Sequence, residues 1–152
     1  MNPNINCKGV EGGRGSDGAP GMFAGAPVAY SIQDCRDGTS STFLLGETLT
    51  IHHPHRAYFN SLLNVATTNL PPNHALPYVD ECPPLPKATK AKRDWCEVRV
   101  AGFDSKHAGG LNMAMTDGSV PFIDEMIDYR VWNFLGDKAD GEVVDSEWNS
   151  GG

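Results

Sequence analysis

The chain has 152 residues, of which 39% are hydrophobic, and it carries a formal net charge of −7 at pH 7. This length supports one compact domain with a buried core but is short for two, so we expect a single domain over residues 1–152. The negative charge argues against a nucleic-acid partner, because phosphate binding requires a basic face, and it favours cations as partners.

No apolar run in the chain approaches the roughly 18 residues of a membrane-spanning helix. The opening residues, MNPNINCKG, also lack the apolar core and the cleavage pattern of a signal peptide. We therefore expect no membrane span in this chain, and either a soluble protein or one whose export segment is missing from it.

Four cysteines are present, and none belongs to a Cys-x-x-Cys pair, which weakens a zinc-ribbon or thioredoxin-like interpretation. An even number of cysteines in a chain rich in Gly and Pro favours two disulfides and an oxidising compartment. A bond between Cys82 and Cys96 closes a loop of about 15 residues, which removes roughly 3 kcal/mol of unfolded-chain entropy. This pairing is preferred and leaves Cys7 with Cys35, although the sequence alone proves neither bond.

The first predicted strand follows an N-terminal stretch, EGGRGSDGAPGMFAGAP, that favours loop. Asp37-Gly38 supplies a turn, and the apolar residues 43–45 supply a buried strand. Gly46, at the end of the strand, indicates a β-bulge or a close approach of the backbone to a neighbour. Glu47 follows directly and is a candidate base or ligand, although a salt-bridged or capping carboxylate is the commoner outcome.

A long irregular excursion is predicted from His52 to Pro86, because seven prolines interrupt it. Its start lies in IHHPHR, residues 51–56, whose three imidazoles could bind zinc or a similar ion. In an extended chain His53 and His55 share a face, while His52 points away. Exposed loop histidines are nevertheless the more frequent explanation of such a cluster.

The most regular pattern is LNMAMTDGSVPFI, which predicts a hairpin with its turn at Asp117-Gly118. A two-residue loop there places Met115 opposite Val120 and Met113 opposite Phe122. One face of the sheet is then apolar without any shift of register.

A helix is predicted over residues 124–135, with Asp124 as its N-cap and Gly136 as its stop signal. The apolar face of this helix consists of Ile127, Val131, Phe134 and Leu135. We expect the helix to pack on the hairpin.

His107 and Asp117 lie at the two ends of the first hairpin strand. A strand rises about 3.4 Å per residue, which separates them by on the order of 20 Å and excludes one metal or catalytic site. The glycines and the Asp-Gly are therefore interpreted as turns into and out of the strand. His107 can still meet groups from elsewhere in the chain.

Two stretches, which we call the first and second motif blocks, carry a resemblance to a known family. The first motif block is DGTSSTFLLGE, residues 37–47, and the second runs from His107 to Gly118, with nine residues between His107 and Asp117-Gly118. Both resemble segments of a bacterial pseudopilin-like family of unknown function that carries a prepilin-type cleavage site. That family usually has Asn where this chain has Ser41.

The resemblance implies a pilin-like globular domain located extracellularly, at the cell surface or in the periplasm, with other pilin-like subunits as partners. Members of the family resemble pilins in having an N-terminal hydrophobic helix, and this chain has no counterpart to it. Either the chain is the globular part alone, or it does not assemble.

The acidic tail GDKADGEVVDSEW resembles the end of the same family and, more distantly, the calcium-binding tail of the major pseudopilins of type II secretion. Composition alone favours a solvated tail. The resemblance implies instead that calcium, which takes about six to eight oxygen ligands, orders the segment. The implied ligands are Asp137, Asp140, Glu142 and Asp145.

An α+β fold is expected, with a small antiparallel sheet, a C-terminal hairpin followed by a helix, and long disulfide-tied loops. The first functional hypothesis is a secreted or surface pseudopilin-like domain that binds calcium and has a structural or interaction role. The alternative is a metal-dependent hydrolase of small esters or lactones. In such a hydrolase a metal ion polarises a carbonyl, with calcium favoured over zinc. The candidate catalytic groups are His53, His55 and Glu47.

A third hypothesis is a carbohydrate- or ligand-binding module that uses Trp95, Trp132 or Trp148. Core packing is the commoner fate of such residues.

Overall fold

The computed structural model describes residues 21–23, 29–49, 66–68, 70–74, 102–142, 144 and 148. Within them, a 3₁₀ turn, Ile32–Asp34, precedes strands β1 (Phe43–Gly46), β2 (Gly110–Met115) and β3 (Phe122–Asp124) and helix α1 (Tyr129–Leu135). The strands form one antiparallel sheet in the order β1-β2-β3. The predicted α+β fold, a small antiparallel sheet followed by a helix, is confirmed. Over these residues, no helix has the length and apolar character needed to cross a membrane.

The core lies between one face of the sheet and helix α1. Its buried members are Phe43, Leu111, Met113, Met115, Ile123, Trp132 and Leu135. The Trp132 ring packs against Phe43, with centroids 5.0 Å apart, and meets Phe103 edge-on at 5.8 Å. Its Nε1 donates a hydrogen bond to the carbonyl of Leu70 at 2.8 Å, so the ring is both buried and satisfied.

The burial of Trp132 excludes it as a surface for a sugar or other ligand. Trp148 is half-buried and packs against the same core, and Trp95 lies outside the described residues.

Gly46 ends β1 where the backbone approaches its neighbours closely. A Cβ at this position would lie 2.3 Å from the Met113 sulfur and 2.5 Å from the Phe103 ring, so only a hydrogen fits. The pairing of β1 with β2 shifts by one residue between Phe43 and Leu45, which is a β-bulge. Of the two alternatives that the sequence offers for Gly46, the close approach is present, whereas the bulge lies before it, between Phe43 and Leu45.

The hairpin forms where predicted, but its register is one residue away from the prediction. Gly118, with φ of 90°, donates to the Met115 carbonyl, and Met115 in turn pairs with Ser119. The loop therefore has three residues rather than two, closed by a glycine in the left-handed region. Because side chains alternate along a strand, this shift places Ile123, not Phe122, on the buried face opposite Leu111.

Helix α1 begins at Tyr129 rather than at residue 124 as predicted. Asp128 is its N-cap, with a side chain that accepts from the backbone N–H groups of Arg130 and Val131 at 2.8 and 3.3 Å. Asp124 is the last residue of β3, and its carboxylate accepts from the Met126 N–H within a turn. Gly136 ends the helix as predicted.

Candidate functional site

The two motif blocks lie side by side as neighbouring antiparallel strands, β1 within the first block and β2 within the second. At one end, the carbonyl of Thr42 accepts from both the backbone N–H and the hydroxyl of Thr116, at 2.9 and 3.0 Å. The Asp117 N–H donates to the Thr39 carbonyl at 2.9 Å. These hydrogen bonds join the turn of the first motif block to the turn of the second.

At the opposite end, the last residue of the first block meets the first residue of the second. Glu47 Oε1 lies 3.3 Å from His107 Nε2, with the carboxylate 36% and the imidazole 57% exposed. Strand pairing brings them together, because the Glu47 N–H donates to the Asn112 carbonyl and the Glu47 carbonyl accepts from Asp104. The Ser105 side chain also bonds to the Glu47 carboxylate. We call Glu47, Ser105, His107 and Asn112 the motif junction.

The carboxylate of Glu47 is directed mainly at backbone and neighbouring donors. Its Oε2 accepts from the Asn112 N–H at 2.8 Å and from the Asn112 amide at 3.4 Å. Partial burial raises the pKa of Glu47, but hydrogen bonds from Asn112 and Ser105 and the charge of His107 outweigh it and leave that pKa below its ordinary value. The group therefore stays ionised, and it lies within ion-pair distance of His107.

Asn73 extends the motif junction, and the sequence interpretation missed it. Its side-chain oxygen accepts from the Ser105 N–H at 2.8 Å, and its amide donates to the Gly110 carbonyl at 3.2 Å and to Glu125 at 3.1 Å. Its φ of 51° lies in the left-handed region, which Asn tolerates better than most residues. The preceding proline pair could have identified this turn, but not its partners.

Asp117 is used within its own turn, far from His107. Its Oδ1 accepts from the Ser119 N–H at 2.8 Å and from the Ser119 hydroxyl at 2.6 Å. These bonds lower the pKa of Asp117. The two residues flank opposite ends of β2, and His107 instead lies edge-on to Phe122 at 6.4 Å between centroids.

The acidic tail is attached to the first motif block. The carboxylate of Asp37 accepts from the N–H groups of Asp140 at 2.8 Å and Gly141 at 3.0 Å. In return, the Lys138 carbonyl accepts from the N–H groups of Arg36 and Asp37. We call this set of bonds the tail junction.

Carboxylates crowd the tail junction. Partial desolvation of its carboxylate is the largest cause that raises the pKa of Asp140, and the negative charges of Asp137 and Asp37 raise it further. Asp140 Oδ1 accepts from the Glu142 N–H, and Asp137 Oδ1 from Ala139. Of the implied calcium ligands, Asp145 lies outside the described residues. Among those described, no three His, Cys, Asp or Glu side chains form a group that could hold a metal ion.

The predicted disulfides fall largely outside the described part of the chain. Cys35 is half-buried and forms no disulfide with a described residue, and Cys7, Cys82 and Cys96 lie outside these residues. The pairing therefore stays a prediction. The same holds for a site at His53 and His55, which are also not described.

A family model described as "Protein of unknown function (DUF1559)" matches residues 1–130. The searches of curated proteins and of solved structures found no significant match. The matched range contains both motif blocks and the whole sheet, whereas most of helix α1 and the tail junction's residues 137–142 follow it.

Proposed function

We propose that this chain, which belongs to the DUF1559 family, is a pilin-like globular domain with a structural and interaction role. Its proposed location is extracellular, at the cell surface or in the periplasm. Its proposed partners are other pilin-like subunits and a divalent cation, for which calcium is the first candidate.

The observation that carries this proposal is the pairing of the two motif blocks at both of their ends. Glu47 accepts a backbone N–H from Asn112, and the Thr42 carbonyl accepts twice from Thr116. Residues that give the family resemblance are thus used to hold two strands together. Such a use is expected of a structural scaffold whose surface residues carry the interactions with partners.

The calcium proposal is supported by the chemistry of the tail junction. Asp37, Asp137 and Asp140 place negative charges near one another, and this repulsion contributes to the raised pKa of Asp140. A bound divalent cation supplies positive charge that offsets such repulsion. Asp137, Asp140, Glu142 and Asp145 are the proposed ligands.

The calcium proposal is tested by thermal unfolding in calcium and in chelator, with magnesium as the control ion. A ligand at about 100 times its Kd stabilises by about 2.7 kcal/mol, which raises the Tm by several degrees. Asp140→Asn should abolish the rise, whereas Glu125→Gln, which removes a carboxylate outside the tail, should preserve it. The rise should shrink as pH falls towards the raised pKa of Asp140, because protons and calcium then compete.

A Tm that calcium does not move, or one that it moves equally in Asp140→Asn, would rule out the proposed ion site. Hydrolysis of small esters or lactones is the alternative that the sequence offers. Of its candidate catalytic groups only Glu47 is described, and its carboxylate accepts from the Asn112 N–H and lies 3.3 Å from His107.

A further inference from the structure

The face of the hairpin that points away from the core exposes large apolar side chains. Ile123 is buried against Leu111, so the alternation of side chains turns Val120 and Phe122 to the other side. Val120 is 62% and Phe122 44% exposed, and Met126, in the turn after β3, is 84% exposed. The solvent-facing side of an antiparallel sheet is ordinarily polar.

Exposed apolar side chains are concentrated in this part of the molecule. Among the described residues, four of the seven large hydrophobic side chains that are exposed lie between Val120 and Tyr129. Single exposed apolar residues are normal on a protein surface, whereas a concentration of them marks an interaction site.

The same stretch is acidic. Four exposed residues between Asp117 and Arg130 carry carboxylates, namely Asp117, Asp124, Glu125 and Asp128. Arg130 is the one basic residue of that range. We call the exposed apolar residues Val120, Phe122 and Met126, together with these four carboxylates, the hairpin patch.

Among the described residues, strand β3 lies at an edge of the sheet. The Met113 N–H donates to the Pro121 carbonyl, and Glu125 donates to Gly109, so the odd-numbered residues of this strand pair with β2. In an antiparallel ladder the intervening residues direct their N–H and C=O groups outward. Phe122 therefore presents both groups to an added strand.

We propose that the hairpin patch binds an extended, basic segment of a partner protein, with apolar side chains at every second position. The apolar side chains cover Val120 and Phe122, the lysines or arginines face the carboxylates, and the backbone bonds to the edge at Phe122. A second copy of this chain fits less well, because it brings the same acidic groups against each other. This inference rests on the proposed interaction role and names the surface and the partner chemistry for it.

The test uses the whole chain, isotope-labelled, and a synthetic peptide of alternating lysine and valine, about eight residues long. Amide shifts should change at residues 120–126, and the affinity should fall as salt rises, since surface charges are screened over about 8 Å at physiological ionic strength. Phe122→Ser should weaken binding at least about tenfold in a protein that still unfolds cooperatively. Ile32→Ser is the matched control, because Ile32 is 66% exposed elsewhere, and it should bind as the wild type does.

A peptide of alternating glutamate and valine should not bind. The proposal is overturned if the lysine–valine peptide fails to bind, if it binds Phe122→Ser as tightly as wild type, or if Phe122→Ser instead disperses a dimer of this chain. Because the peptide test does not use the tail, a missing calcium effect would remove the ion site and leave this result standing.

Discussion

The core formed by the sheet and helix α1 is stabilised by different interactions from those that stabilise the acidic tail. The side chain of Trp132, a residue of α1, is fully buried against the sheet, and its Nε1 donates a hydrogen bond to the Leu70 carbonyl. Asp140 and Gly141 are exposed, and bonds from their backbone to Asp37 hold them. The first region depends on apolar burial, which pH and salt hardly change, whereas the second depends on charge and on ions.

The largest effect is expected from a deletion in the core. Trp132→Ala removes the contacts with Phe43 and Phe103 and leaves the Leu70 carbonyl without its donor, so the free energy of unfolding should fall by about 4 kcal/mol. Chemical denaturation measures this loss. Met126→Ala, at an 84% exposed position, should change it by less than about 0.5 kcal/mol. Similar losses in both variants would contradict the placement of the core.

An intermediate effect is expected at the motif junction. Glu47→Gln weakens the bonds to Asn112 and the contact with His107, and it should lower the free energy of unfolding by about 1 kcal/mol at neutral pH. The pKa of Glu47 is lowered in the folded state, so its stabilisation is present above its ordinary value of 4.5 and is lost as pH falls through the folded pKa.

Unfolding curves of wild type and Glu47→Gln at neutral and acid pH provide the measurement. The difference between them should shrink as the carboxylate protonates. A difference that stays constant, or grows, at acid pH would show that the charge of Glu47 does not contribute.

The smallest global effect is expected at the tail junction. Asp37→Ala removes the acceptor of the Asp140 and Gly141 N–H groups, and their hydrogen exchange should accelerate by roughly fivefold, which corresponds to about 1 kcal/mol of local stability. The global free energy of unfolding should move much less. Unchanged exchange at these two amides, measured in chelator, would refute the attachment of the tail through Asp37.

Local patterns in the sequence predicted the elements of the core but not their boundaries. Asp117-Gly118 identified the turn, because Gly118 has a positive φ that few residues adopt. Gly46 identified the close approach to Met113 and Phe103, because no side chain fits there. The one-residue error in register arose because Asp-Gly suits two-residue loops and also, with Gly in the left-handed position, three-residue loops. Asp124 and Asp128 are both suitable N-caps, and the pairing of Asp124 with Gly110 in the sheet decided between them.

The contacts between distant segments were beyond sequence reasoning. The sequence favours a salt-bridged or capping role for Glu47 over that of a base or ligand, but nothing in its neighbourhood identifies His107, 60 residues later, as its neighbour in space. The sequence assigns Asp37 only to a turn, yet its carboxylate accepts from two N–H groups of the tail. Such pairs follow from how strands and turns meet in space, which a single sequence does not encode in any local pattern.

The bond from Trp132 to the Leu70 carbonyl has a consequence for how the chain can vary in length. It fixes one end of the connection that leaves β1 after Gly46, while strand pairing fixes the other. Since the entropy of closing a loop rises only by about 0.6 kcal/mol for each doubling of its length, holding both ends matters more to the closure of this connection than the number of residues between them.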